Sequence, residues 1–335
     1  ALTNLRELHL NTTTIDERGL AALGRLTSLE GLYLYGAGFK AGSIHRLKNL
    51  TKLKNLVLGN TAIDDSDLAV VGTLNELIEF SAFATAITDK GAAHLASLPH
   101  LETLSLGATN VTDITLSRLK GLTELKKLHL WRTVISDQGL AHLEDLHNLR
   151  ELWLGDTSIT DNGLAHLKDL KALRELHLND TPVTDDGLAH LAHLDLLREL
   201  KLATTSVTGK GLEHLGGLKE LSVLDLQDTL ADDDSLRALS GLKGLLQLDL
   251  SHCPVTGRGV AHLAGLRGLW KVNLASTKLN DEGLAHVARL RALRWLSISD
   301  TGITDDGLAH LADKKRLETL ILNDTNLTDE AVKHL

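Results

Sequence analysis

Leu5, Leu29, Leu53 and every twenty-fourth residue onward to Leu317 are leucine, without an insertion or deletion anywhere along the chain. A fixed period of this length outranks the prior of two or three globular domains that 335 residues would otherwise suggest. Thirteen complete repeats and a truncated fourteenth follow from it. The repeat from Leu149 to Ala172 reads LRELWLGDTSITDNGLAHLKDLKA, and its neighbours follow LxxLxLxxTxITDxGLAHLxxLxx. The first half alternates with period two, so Leu152 and Leu154 point to a core and Trp153 points away from it. In the second half Leu164, Leu167 and Leu170 recur at offsets of three, which makes one helical stripe. A strand and a helix this short cannot bury their apolar faces alone, so each repeat must stack on the next. The expectation is an α/β solenoid of 24-residue repeats forming a single domain over residues 1–335, with parallel strands on one side and short helices on the other.

The turn between strand and helix is readable in the same unit. Thr160 is placed to cap the helix, Asp161 favours the positive end of its dipole, and Ile159 with Leu164 fits a hydrophobic staple. Gly139, Gly163, Gly187, Gly211, Gly283 and Gly307 recur after the cap. Ser43, Asp67, Thr115, Ser235 and Ala331 replace glycine at this position elsewhere. Replacements of that kind point to a need for room between stacked coils rather than to a positive φ. Threonine precedes the turn in twelve of fourteen repeats, from Thr13 to Thr325, with Ala37 and Cys253 as the exceptions. A small hydroxyl there can satisfy backbone groups that lose their sheet partners, so this row is read as structural.

These motifs resemble the leucine-rich-repeat family over the whole chain. The ITDxGL turn is similar to the cysteine-containing subclass found in F-box substrate receptors and in bacterial homologues. Cys253 stands in LLQLDLSHCPVTGRGV where that subclass carries its cysteine, and threonine takes the place elsewhere. The resemblance implies a horseshoe or arc with the sheet on the concave face, helices on the convex face, and protein binding. No F-box segment is present.

Composition narrows the function classes. A net charge of −9 with interspersed signs argues against a nucleic-acid partner. No apolar run approaches the roughly eighteen residues of a membrane span, and residues 1–10 lack a signal-like pattern, so a soluble chain is expected. Cys253 is the single cysteine, which excludes an internal disulfide. Ala1 opens within an outer segment and Leu335 closes inside an outer helix, so the ends are expected to be uncapped and open to self-association.

With the repeat subtracted, nine aromatic residues remain to be explained. Phe39 and Phe80 take core positions, and Ala82 offsets the volume of Phe80. Tyr33, Tyr35, Phe83, Trp131 and Trp153 occupy variable strand positions that face away from the core, while Trp270 and Trp295 stand at strand entrances. Large rings on that face suit a protein interface, and cross-strand packing is the plainer alternative. Trp131 and Trp153 are expected on adjacent strands about 4.8 Å apart, with His129, Arg132, Asp156, His177 and Asp180 around them. The expected partner-binding set is therefore Tyr33, Tyr35, Phe83, His129, Trp131, Arg132, Trp153, Asp156, His177 and Asp180.

No catalytic residue, cofactor or metal ligand is expected. His129, His177, Asp156 and Asp180 should be open to water on such a sheet, without the pocket that tunes reactivity. Nine histidines from His94 to His334 share one outer-helix position as a parallel row, which does not converge on an ion. The function expected is a non-enzymatic scaffold holding a protein partner on the concave sheet. A self-assembling structural repeat and a carbohydrate-binding module are the alternatives.

Overall fold

The structure, a computed structural model, describes residues 2 and 4–334. Ala1, Thr3 and Leu335, on which the expectation of open ends partly rests, lie outside the described residues. The chain divides into two compact units, Ala1–Ile159 and Thr160–Leu335.

In the first unit the strands are β1 (Glu7–His9), β2 (Gly31–Tyr33), β3 (Asn55–Val57), β4 (Glu79–Ser81), β5 (Thr103–Ser105), β6 (Lys127–His129) and β7 (Glu151–Trp153). They pair in sequence order, all parallel, with every residue opposite the one 24 positions on, as in Leu8↔Leu32 and Leu128↔Leu152. In the second unit β8 (Glu175–His177), β9 (Glu199–Lys201), β10 (Val223–Asp225), β11 (Gln247–Asp249), β12 (Lys271–Asn273), β13 (Trp295–Ser297) and β14 (Thr319–Ile321) follow the same rule. Three-residue strands give little pairing energy singly, and the apolar floor beneath them supplies the rest. Leu152, Leu154, Ile159, Leu164, Leu167 and Leu170 are each fully buried.

Some outer segments are the expected single helix, such as Asp113–Leu119 and Asp281–Val287, and others divide in two. Asp161–Leu164 is one α-turn, which tightens into a 3-10 turn over Ala165–Leu167. The 3-10 turn, with a period of 3.0, keeps Leu164, Leu167 and Leu170 on one line facing the core. Thr160 caps the turn as expected, accepting a hydrogen bond from the Asn162 N–H at 3.3 Å.

All twelve ladder threonines donate their hydroxyls to the backbone carbonyl three residues earlier, as Thr85 does to Ala82 at 2.6 Å and Thr157 to Leu154 at 2.6 Å. Cys253 serves differently, donating its thiol to the Leu226 carbonyl of the preceding repeat at 3.0 Å. One residue per repeat between the strand and this ladder has a positive φ, including Arg132 (54°), Asp156 (55°) and Asp180 (56°). Asp and Asn tolerate that left-handed bend better than most residues, which gives Asp156 and Asp180 a backbone role.

The aspartate of the helical first turn does more than complement a dipole. Asp65 accepts both the Thr88 N–H at 2.8 Å and the Thr88 hydroxyl at 2.6 Å, 23 residues on. The same pair of bonds joins Asp89 to Thr112, Asp113 to Ser136, Asp161 to Thr184, Asp185 to Thr208, Asp233 to Thr256, Asp281 to Thr304 and Asp305 to Thr328. A Cβ added at Gly91 would press on the Asp65 carboxylate, and one at Gly259 on that of Asp233. The recurrent glycine is therefore the space that this carboxylate fills.

Candidate sheet-face interaction site

On the solvent face of the first unit, three columns of side chains run across the strands: the first residue of each strand, the third, and the residue two positions past its end. The third-position column holds His9, Tyr33, His129 and Trp153. His9 and Tyr33 are register partners and stack with ring centroids 4.1 Å apart and planes within 2°. His129 and Trp153 repeat the arrangement at 3.8 Å and 13°.

The outermost column reads Asn11, Tyr35, Gly59, Phe83, Gly107, Trp131, Gly155, with an aromatic in alternate repeats from Tyr35. The glycines explain how the rings lie. A Cβ on Gly59 would fall 2.6, 2.8 and 3.0 Å from three ring carbons of Phe83, and one on Gly107 would fall 2.5 and 2.7 Å from Cε2 and Cδ1 of Trp131. Near-equal distances to several atoms of one ring mean that each ring lies flat over the glycine of the preceding repeat. Tyr35 and Phe83 then meet at 5.6 Å between centroids, and Phe83 and Trp131 at 6.2 Å. The result is a continuous strip of half-buried rings, two of them with one side on backbone.

Two expectations change. Trp131 does not pair with Trp153 on the neighbouring strand; it stands past the end of β6 and leans back over Gly107 toward Phe83, while Trp153 stacks on His129. The missing Cβ at Gly107 is the physical reason. His129 and His177, expected to be open to water, have side chains only 14% exposed; His129 lies against the Trp153 ring beside Glu151, and His177 against Glu199.

Charge frames the strip. Lys127 pairs with Glu151 at 2.5 Å, and the His129 ring nitrogen stands 3.7 Å from the same carboxylate. Arg132 and Asp156 form an exposed pair at 3.2 Å beside Trp131. Burial, and after it the carboxylates of Glu7 and Glu79, push the Tyr33 hydroxyl above its ordinary pKa. Tyr33, Tyr35, Phe83, His129, Trp131, Arg132, Trp153 and Asp156 thus all belong to the first unit, where the two ring columns gather six of them. Phe39 and Phe80 are buried, as expected.

His177 and Asp180 belong to the second unit. Asp180 is an exposed bend residue. His177 meets the Glu199 carboxylate at 3.1 Å, and Lys201 reaches the same oxygen at 3.1 Å. Hydrogen bonding from His177 leads the causes that hold Glu199 at about 2, ahead of burial, which opposes it, and of Lys201. Next to this group lies a hollow of about 240 Å³ lined by Glu199, Lys201, Asp225, Asp249, Lys271 and Asn273. Its lysines are both engaged: Lys201 with Glu199, and Lys271 over the Trp295 ring at 5.0 Å from the centroid. Burial, then the neighbouring Asp249, raise the Asp225 carboxyl above its usual range. Sequence reading passed over this region. Its signal was the small Val223 between Glu199 and Gln247, with aspartates at the same strand position in consecutive repeats.

With strands, ladder and turns in place, the chain can be set beside known proteins. The Leucine Rich repeat pattern matches residues 171–192 and 245–264. The chain has the leucine-rich-repeat fold. No curated protein matches it by sequence. Among solved structures, the chain is similar to an internalin from Listeria monocytogenes, InlF, at 22% identity and a TM-score of 0.67, covering 99% of this chain and 84% of the other. It is similar also to a leucine-rich-repeat protein of Leptospira interrogans, at 19% identity and a TM-score of 0.71, covering 99% and 87%. A TDR receptor shares the fold at 18% identity and a TM-score of 0.54, covering 97% and 69%. At these identities the likeness is one of fold. No helix among the described residues is long and apolar enough to cross a membrane.

Proposed function

We propose that this leucine-rich-repeat chain is a non-enzymatic recognition scaffold that docks a protein partner on the sheet face of its first unit. The observation that supports the reading is the strip Tyr35–Phe83–Trp131, in which Phe83 and Trp131 rest one side of the ring on a backbone glycine and the rings follow one another at 5.6 and 6.2 Å. Rings laid flat lose little conformational freedom on binding and offer wide apolar contact, which is how aromatic hot spots act. Arg132 and Asp156 at the border supply a fork of donors and an acceptor for orientation. Other proteins of this fold include a receptor and an internalin, a class of scaffold that serves protein interaction. The titratable groups of the face are engaged in stacks and ion pairs on an open sheet rather than poised in an enclosed site, which supports a non-catalytic reading.

Flat outward rings also suit the faces of sugar rings, so carbohydrate binding is the second reading. The experiment compares the wild type with Phe83→Ala/Trp131→Ala. Proteins retained from the native host by the wild type are identified and their affinities measured directly, and both chains are applied to a glycan array. Loss of at least about tenfold in affinity for a protein ligand, with an unchanged oligomeric state by light scattering, is the expected result. Equal affinities for the two chains would remove the assignment. Binding confined to glycans would replace it with the second reading.

A further inference from the structure

The second unit carries a set of side chains that the aromatic strip does not involve. On β8 and β9, Glu175 faces Glu199 and His177 faces Lys201 in register. The strands stand at sheet spacing, so long side chains at positions one and three of neighbouring strands can converge above the sheet. The donor atoms of Glu175, His177 and Glu199 all lie within 4.8 Å of one another. His177 Nε2 and Glu199 Oε1 are 3.1 Å apart. Two donors bound to one ion at about 2.0–2.2 Å stand about 3.0 to 3.5 Å apart, depending on the angle between them, so this pair already has the bite of a chelate.

We propose that Glu175, His177 and Glu199 form a binding site for one divalent transition-metal ion of the zinc class. One imidazole nitrogen and two carboxylates match the borderline character of zinc, whereas calcium and magnesium demand shells made of oxygen. Strands hold the two backbones, so only side-chain torsions need to close the remaining distance. The hollow beside Glu199 leaves room for water or a partner's side chain to complete the shell.

The ammonium of Lys201, 3.1 Å from Glu199, is the competitor that a metal ion must displace. It has somewhere to go. Asp225 is the register partner of Lys201 on β10, and its carboxylate takes an N–H from Gln227 at 3.1 Å. Movement of Lys201 from Glu199 to Asp225 would exchange one ion pair for another while freeing the oxygen. A purely structural ion-pair network makes the opposite prediction for Lys201, since removing the lysine would only weaken it.

The test is calorimetric titration of the whole chain, stripped with chelator, with Zn²⁺ alone. One ion per chain is expected in the wild type, several-fold tighter binding in Lys201→Met, and binding weakened by at least about 100-fold in His177→Gln and Glu199→Gln, since even outer-shell changes cost about 10- to 100-fold. His142→Gln, from the outer histidine row, should match the wild type. Melting curves without metal verify that each variant is folded. Wild-type-like titrations for both His177→Gln and Glu199→Gln overturn the proposal, as does failure of the wild type and Lys201→Met alike to bind saturably.

Discussion

Replacing Asp89 by alanine tests the inter-repeat bonds that hold the outer coils in register. Asp89 Oδ1 accepts the Thr112 N–H at 2.8 Å, the Thr115 N–H at 3.1 Å and the Thr115 hydroxyl at 2.5 Å, while Oδ2 accepts the Thr112 hydroxyl at 2.7 Å. Thr115 is completely buried and Thr112 is half-buried. In Asp89→Ala the Thr112 donors recover water, so their loss is small. The two Thr115 donors do not, and a buried unmet donor costs about 1–3 kcal/mol. The sum is a loss of about 3–4 kcal/mol, and Asp89→Asn, which retains one acceptor oxygen and the shape, should lose about half of it. Urea unfolding followed by circular dichroism measures both, and amide exchange at Thr112 and Thr115 localises the effect. Burial pushes the Asp89 carboxyl up, but hydrogen bonds from Thr115 and Thr112 outweigh it and hold the group below its ordinary range. A depressed folded-state value means that the contribution is full above the unfolded carboxylate pKa of about 3.9 and is lost as pH falls through the folded value. The deficit of Asp89→Ala should therefore shrink in acid. A deficit under about 1 kcal/mol at neutral pH, or one unchanged in acid, would refute the reasoning.

Other perturbations test other parts of the chain. Gly107→Ala places a methyl group inside the Trp131 ring, so the ring must lift; a red-shifted tryptophan emission and a loss of about 1–2 kcal/mol are expected, while Gly121→Ala, with open space around its Cβ, should be silent. Cys253→Val removes the sulfur donor to the Leu226 carbonyl and should cost about 1 kcal/mol, whereas Cys253→Ser should recover part of that loss in the same urea assay. Glu199 and Asp225 should have opposite pH signatures in thermal melts. Glu199, held at about 2, stabilises above the unfolded carboxylate range and loses that contribution as pH falls toward 2, so Glu199→Gln costs about 1–2 kcal/mol at neutral pH after allowance for solvent screening. Asp225 is raised, so its folded form favours the proton; stability falls as pH rises from the unfolded value through the folded one, and Asp225→Asn should stabilise at neutral pH but not in acid.

What the sequence discloses and what it withholds follow from the range over which each feature acts. Strand, core and threonine ladder are written within one repeat: Leu152 and Leu154 alternate around Trp153, and Thr157 bonds to Leu154, three residues away. Features that join repeats are harder to read, because the partner is 23 or more residues distant and the consensus conceals which contact selects which residue. The flat seating of Trp131 depends on Gly107, and the Glu199 group depends on His177 and Lys201 at neighbouring repeat positions. Aromatic content drew attention to Tyr35, Phe83 and Trp131. The orientation of the Phe83 and Trp131 rings follows from Gly59 and Gly107 in the preceding repeats.

One inter-repeat rule could have been read from the residues alone, and it explains why the caps vary. Thr88, Thr112, Ser136, Thr184, Thr208, Thr256, Thr304 and Thr328 follow, at 23 residues, an aspartate that accepts their hydroxyls and N–H groups. Where that aspartate is absent, at Ala41, Gly209 and Gly257, the next caps are Asp64, Asp232 and Asn280. A carboxylate cannot sit opposite another carboxylate without a like-charge penalty, so an acidic cap excludes the aspartate before it. It also has no need of one, because Asp64 accepts the Ser66 N–H at 2.9 Å and Asp232 the Ser235 N–H at 3.1 Å within their own turns. The space vacated is then used. Asp67 fills it at the first interruption and binds the Gly42 and Ile44 N–H groups at 2.9 Å each, and Ser235 packs against Gly209 at the second. The interruptions at Ala41 and Gly209 are thus each compensated by the repeat that follows.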